Sequence, residues 1–433
     1  MDTKPESQSA DDILAEFEEE TGHSGMYQVV MLAISLCVLQ IGFGFIVPVF
    51  PVYIIELGMG GIELGVLAAS FAASRIFLAG PLGGLSDTVG RKKILVYSLL
   101  GFAISNIIYA FAQDAWVMIA ARAMEGAVSA GFFPTANAFV SDMTTPENRG
   151  TAMGYLSTGN MVGFVIGPVV GGVLAEFLGI RLPFIIAAGV TLFTMLLLTI
   201  LVQEPLRREV TEVTKPPRVP LKEVLSRAYN AYGALGISMF ANMFAIGVLE
   251  VAFMLDAVVR FGIGPLEIGG FFGVIGICMI IGNIGFGKLS DKIGRKWLIV
   301  IGAIIGTISM LMFATATDTF SFYIAGAVLS IGMSMRGPAI QALIADLTEP
   351  SSYGRVMGFF GAISNSAYVV SPTMSGYLFD LDGNAISSLL IGGGVSLIGG
   401  LVAGVALPSD VRKKDASESS TPVETPTNDN ESP

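Results

Sequence analysis

Long apolar stretches alternate with short polar ones along almost the whole chain. About twelve of them approach the roughly 20 residues that an α-helix needs to cross about 30 Å of hydrocarbon. They fall near 27–48, 62–82, 94–112, 116–140, 151–175, 182–202, 230–255, 266–286, 298–315, 320–344, 355–378 and 385–407. A bilayer core offers no water to satisfy backbone N–H and C=O groups, so spans of this length are predicted to be helices and not barrel strands. The pattern predicts an all-α polytopic membrane protein with twelve transmembrane helices.

The polar interruptions repeat. GGLSDTVGRKK, from Gly83 to Lys93, returns 204 residues later as GKLSDKIGRKW, from Gly287 to Trp297. The same offset relates Asp142, Pro146, Gly150, Met153 and Gly154 to Asp346, Pro350, Gly354, Met357 and Gly358. A period this long is too large for a solenoid unit and points to a duplicated membrane domain of the transporter type. The expected organisation is an acidic tail at 1–25, a six-helix bundle at 26–202, a basic linker at 203–228, a second bundle at 229–407 and a polar tail at 408–433. Both tails are expected to be solvated and mobile.

Composition agrees with a life in lipid: hydrophobic residues make up 53% of the chain and charged ones 14%, and the mean hydropathy is +0.71. The net charge of -11 comes largely from the two tails and says nothing about the interior. Orientation follows from the basic residues. The loops after the even-numbered helices carry Arg91, Lys92, Lys93, Arg149, Arg207, Arg208, Lys288, Lys292, Arg295, Lys296 and Arg355, whereas the opposite loops offer Arg181 and Arg260. The loops rich in Lys and Arg are therefore expected in the cytoplasm together with both termini, in a multi-pass protein of the plasma membrane.

Several chemistries are excluded or disfavoured. His23, in the acidic leader, is the only histidine, so no histidine relay operates within the membrane. No GxxxxGK[ST] loop is present to cradle a nucleotide. Cys37 and Cys278 fall in predicted helices of different halves without metal-ligand neighbours, so neither a disulfide nor a metal is expected. No nucleophile and base pair is evident, so an enzyme is not expected, nor is nucleic-acid binding. Energy is expected from ion or solute gradients and not from a cofactor.

The repeated loop resembles the GxLxDxxGRKxx pattern between helices 2 and 3 of the major facilitator superfamily, with a second copy between helices 8 and 9. The resemblance implies two pseudo-symmetric six-helix bundles and a monomer. It also implies that Asp87 faces the start of helix 11 near Gly354 while Arg91 pairs with Asp142. Asp291, Arg295 and Asp346 form the duplicate set of this conformational latch. Lys92, Lys93, Lys288 and Lys296 either join it or only enforce topology.

Helix 5 reads GNMVGFVIGPVVGG, in which Gly163, Gly167, Pro168, Gly171 and Gly172 resemble the gxxxGPxxGG motif of antiporters in that family. Glycines four residues apart make a flat strip for helix packing, and Pro168 lets the helix bend. Pro48 and Pro51 in QIGFGFIVPVFP resemble a signature of the twelve-helix drug antiporters, or simply end helix 1. In helix 4, Arg122 resembles the arginine of an RxxxG element in proton-coupled members, and Glu125 lies one turn further along the same face. A charge at mid-bilayer costs about 2.5–3.5 kcal/mol even on the lenient insertion scale. Such a pair therefore needs either mutual neutralisation or a wet cavity. Arg122, Glu125 and Glu250 are the proton-coupling candidates.

Family architecture places helices 1, 4, 7 and 10 around the cavity. Candidates to line it are Gln40, Arg75, Asn242 and Arg336 with Phe43 and Phe133, and Phe45, Met243 and Phe244 as further apolar walls; Asn365 is another polar group in the membrane. Asp256, near the outer end of helix 7, is expected to be solvated. The resemblance implies a secondary transporter that exports lipophilic or amphipathic molecules in exchange for protons by alternating access. The competing readings are an importer of the same fold, symporter or facilitator, for a sugar or organic anion, and a sensor that binds solute without carrying it.

Overall fold

The structure, a computed structural model, describes residues 10–204 and 220–408. The side chains at 10–24, those of Asp87 and Asp291, and a few others in the loops lie outside the described residues. So do the outermost parts of both tails and most of the linker, and with them the expectation that the ends are mobile.

In the first half the described residues form α1 (Ala10–Ile46), α2 (Phe50–Glu56), α3 (Gly61–Val89), α4 (Arg91–Phe111), α5 (Ala115–Met143), α6 (Pro146–Leu178) and α7 (Leu182–Leu201). In the second they form α8 (Leu221–Arg227), α9 (Tyr229–Phe261), α10 (Pro265–Ile293), α11 (Arg295–Thr315), α12 (Thr319–Leu347), α13 (Pro350–Asp382) and α14 (Ile386–Ala406). Setting aside the seven-residue α2 and α8, twelve long helices remain, six per half. Ten spans are apolar enough to cross a membrane by length and composition, with α1 and α2 counted as one; α5 and α13 fall short. These two bury polar side chains against protein, Arg122, Glu125, Ser129 and Thr135 on α5 and Ser364, Ser371 and Ser375 on α13.

Two details differ from the sequence reading. α1 starts at Ala10, inside the stretch read as a tail, because its Leu, Ala and Glu content favours helix continuous with the apolar span. Pro48 interrupts helix 1 and does not end it. The proline has no N–H to give, Val47 and Val49 bond instead to the Gly44 and Ile46 carbonyls at 3.2 and 3.0 Å, and the chain resumes as α2 with Pro51 in its first turn.

The duplication in sequence is a duplication in geometry. Asp114 and Asp318 cap α5 and α12 by accepting the Val117 and Ser321 N–H groups at 3.0 and 2.8 Å. The Ser321 N–H also holds the Asp318 carboxyl below the usual carboxylate range. Gly90 and Gly294 take φ of +113° and +95° at the α3–α4 and α10–α11 turns, a conformation costly for any residue with a Cβ.

The halves meet at the end away from the basic loops. There Gly65 of α3 lies against the Pro372 carbonyl of α13, and its repeat partner Gly269 of α10 lies against the Pro168 carbonyl of α6. A Cβ on Gly269 would stand 2.5 Å from that oxygen. One hydrophobic cluster, containing Tyr53, Leu64, Phe184, Phe253, Phe271 and Phe379, spans both halves at this end. At the basic end each half keeps its own cluster, around Leu99 and Phe139 in the first and Ile299 and Ile344 in the second. Gly80, Gly83 and Gly84 on α3, and Gly354, Gly358 and Gly361 on α13, face open space among the described residues. The helix pair that touches at one end has therefore parted at the other.

Candidate substrate cavity and its gates

Between the halves lies a cavity of about 420 Å³. Gln40, Phe43, Arg75, Arg122, Phe133 and Glu250, all singled out in the sequence, line it, as do Met243 and Asn365. The wall also draws on aromatic residues the sequence reading did not name: Phe71 on α3, Phe164 on α6, Phe271 and Phe272 on α10, and Tyr368 on α13. Their sequence signal was an aromatic one in every case, indistinguishable from packing.

Arg122 anchors the site. Its Nη1 lies 2.8 Å from Glu125 Oε2, and the Tyr109 hydroxyl on α4 donates to the same oxygen at 2.9 Å. The guanidinium carbon sits 4.6, 5.2 and 5.4 Å from the ring centres of Phe71, Phe50 and Phe43, an aromatic collar that suits a cation. Glu125 is completely buried and does not reach the cavity. Its Oε1 and the Arg122 Nε have no hydrogen-bond partner among the described residues.

Glu250 is placed differently. It comes from α9 in the other half and forms no hydrogen bond or ion pair among the described residues. It faces Arg122 across a narrow cleft of about 30 Å³ above the main cavity, closed by Phe43, Phe50 and Met254. Arg75 also lines the main cavity without a carboxylate partner among the described residues, 5.6 Å from the Phe71 ring centre.

Four expectations about lining residues are corrected. Asn242 and Arg336 border a separate pocket of about 20 Å³ behind the cavity wall, because they project from α9 and α12 toward α11 and α14 and not toward the other half. Phe45 and Phe244 are buried in helix contacts, 4% and 7% exposed, and do not line the cavity. Asp256 is not solvated either: it is 2% exposed and pairs with Arg260 at 3.0 Å, one helical turn away.

At the basic end Arg91 Nε lies 3.1 Å from Asp142 and its Nη1 donates to Ser86 Oγ at 2.6 Å. In the repeat, Arg295 pairs with Asp346 and donates to the Ala342 carbonyl. Both ion pairs lie within one half. The acids expected to cross between halves, Asp87 and Asp291, have side chains outside the described residues. Lys92 is more than a topology marker, since its Nζ donates to the Thr199 carbonyl on α7 at 2.8 Å. On helix 5 the expected strip is real: Gly163, Gly167 and Gly171 admit the backbone of α1 at Cys37, Gly44 and Phe45, while Gly172 faces Pro265 and Gly269 of the other half.

Two related helical bundles around a polar-studded central cavity define a multi-pass membrane transporter for a small molecule. The sequence model of the Major Facilitator Superfamily matches residues 32–274 and 235–429, and the chain belongs to that superfamily. It is 28% identical over 392 residues to multidrug resistance protein 2 of Bacillus subtilis (strain 168), covering 89% of this chain and 96% of that one. It is 30% identical over 347 residues to multidrug resistance protein MdtG of Proteus mirabilis (strain HI4320), covering 78% and 85%. Among solved structures, an inward-facing, unoccupied bacterial homologue of the human lysosomal transporter Spinster matches with a TM-score of 0.71 at 16% identity, covering 88% of this chain and 95% of that one. The nucleoside transporter NupG matches equally well, 0.71 at 14% identity over 87% and 98%. At those identities the structures speak for the fold alone.

Proposed function

We propose that the chain exports lipophilic or amphipathic molecules across the plasma membrane in exchange for protons. In this reading the basic loops and both termini are cytoplasmic, and the state described is open to the cytoplasm. The observation that carries it is Glu250, an acid with no hydrogen-bonding partner among the described residues, set in an aromatic cavity opposite a buried guanidinium of the other half. The names of the multidrug resistance relatives support the substrate class.

The mechanism follows from charge. An ionised, empty Glu250 is attracted to Arg122 across the halves, which favours the closed outer end. A proton neutralises it, and so does a cationic substrate; either one weakens the attraction and lets the bundles rock. Both cannot occupy one carboxylate, so each crossing carries a proton or a substrate molecule, and exchange results. Glu125, committed to Arg122 and Tyr109, fixes the guanidinium in place and is the less suited carrier.

The importer reading rests on Arg75, whose charge faces the cavity unpaired among the described residues and suits an anionic solute. The two readings separate in proteoliposomes with an imposed pH gradient. Flux of a lipophilic cation that follows the gradient supports exchange. Flux unchanged when the gradient is dissipated rules it out. Orientation is tested by membrane-impermeant labelling of single cysteines at Lys93 and Lys296, which must react from the same, cytoplasmic side.

A further inference from the structure

Arg336 carries a charge that the central cavity does not use. It is 2% exposed in the interior of the second half, and the position related to it by the repeat is Phe132, so the charge is an addition to the duplicated plan. Its Nη2 donates to the Ser238 carbonyl at 2.7 Å and approaches the Ser238 hydroxyl at 3.3 Å; its Nη1 donates to Ser396 Oγ at 3.2 Å. These partners are neutral. No carboxylate pairs with the guanidinium among the described residues, and Nε is buried without any acceptor.

The same side chain borders the pocket of about 20 Å³ together with Asn242 and Ser396. The Asn242 amide makes no hydrogen bond among the described residues. The Ser396 hydroxyl accepts from Arg336, which leaves its own hydrogen to be donated. Arg336, Asn242 and Ser396, which between them keep three donors unspent, therefore border a space the size of roughly one water molecule. A buried guanidinium without a counter-charge is unstable in a low-dielectric interior, and an uncharged occupant leaves that imbalance in place.

From the unpartnered Nε, the free amide and the size of the pocket, we infer that Arg336, Asn242 and Ser396 bind a monatomic halide, chloride under ordinary conditions. Tetrahedral oxyanions and carboxylates are too large for the space. Ile246, Leu329 and Met333 belong to the walls of both this pocket and the central cavity, so the ion enters from the cavity past these three side chains. The bound ion completes the charge balance at the junction of α9, α12 and α14 and makes the stability of the second half sensitive to halide.

The test is thermal unfolding of the purified full chain in sodium chloride, bromide and gluconate at matched ionic strength. The site predicts a saturable rise in Tm with chloride and bromide over gluconate. Arg336→Gln abolishes the halide dependence. Asn242→Leu, which keeps the guanidinium, weakens the apparent halide affinity about tenfold and carries the test if the arginine variant does not fold. Equal Tm in all three salts overturns the inference, leaving Arg336 as a brace for the α9 carbonyl. Halide stabilisation that is undiminished in Asn242→Leu overturns it too, because the ion is then bound elsewhere.

Discussion

The carboxylate of Asp380, near the end of α13, accepts the backbone N–H groups of Gly61 and Ile62 at 2.6 and 2.8 Å, capping the start of α3 in the other half. The repeat supplies its counterpart. Glu176 on α6 is the residue related to Asp380, and its Oε2 lies 3.2 Å from where a Cβ on Gly264 would stand, at the start of α10. Each half thus directs an acid at a helix N-terminus of the other, where unpaired N–H groups and the helix dipole favour negative charge.

Asp380→Asn keeps the shape and removes the charge. Removing the negative charge from a partly buried helix N-terminus costs about 1 kcal/mol, so the population open at the outer face should rise about fivefold. Labelling of a cysteine placed at Leu64, in a background without Cys37 and Cys278, reads this from outside. An unaltered labelling rate would remove Asp380 from the gate.

Gly269→Leu tests the close approach behind the seal. Any side chain there meets the Pro168 carbonyl, so the outer end cannot close and transport should fall by an order of magnitude or more although the protein still inserts. Gly233→Leu, at a position with open space, is the control and should transport normally. Equal activity of the two variants contradicts the seal.

The Arg122 and Glu125 pair is expected to behave as a unit. Removing either partner leaves a buried charge and should destabilise the protein by about 3–5 kcal/mol, whereas Arg122→Leu with Glu125→Leu should cost much less than the sum. Melting of the two single variants and the double one gives the coupling directly. Additive losses would mean that the two side chains act independently.

Much of this arrangement was written in the sequence at the level of repeats and charges. The 204-residue register carried over into matching caps, turns and ion pairs, and the spacing of Arg122 and Glu125 put them on one face. Which way each helix faces was not legible. Lipid and protein interior are both apolar, so a membrane helix has no solvent-facing stripe to orient it, and facing is decided by packing between helices. That is why Phe164 and Phe271 were not singled out, and why Asn242 and Arg336 were expected in a cavity they only border from behind. Asp380 carried no signal of its gate role in the sequence, because its partner is a backbone 319 residues away.

The most direct measurement follows protons and not the drug. In vesicles with an acidic interior and a pH-sensitive dye, adding a lipophilic cation outside should trigger proton efflux through the wild-type protein. Glu250→Gln, which has no carboxylate for either the proton or the cation, should release no protons, and Glu125→Gln, where it folds, should still respond. Drug-triggered proton efflux that persists in Glu250→Gln, or is absent from a wild-type protein that transports the drug, contradicts the account.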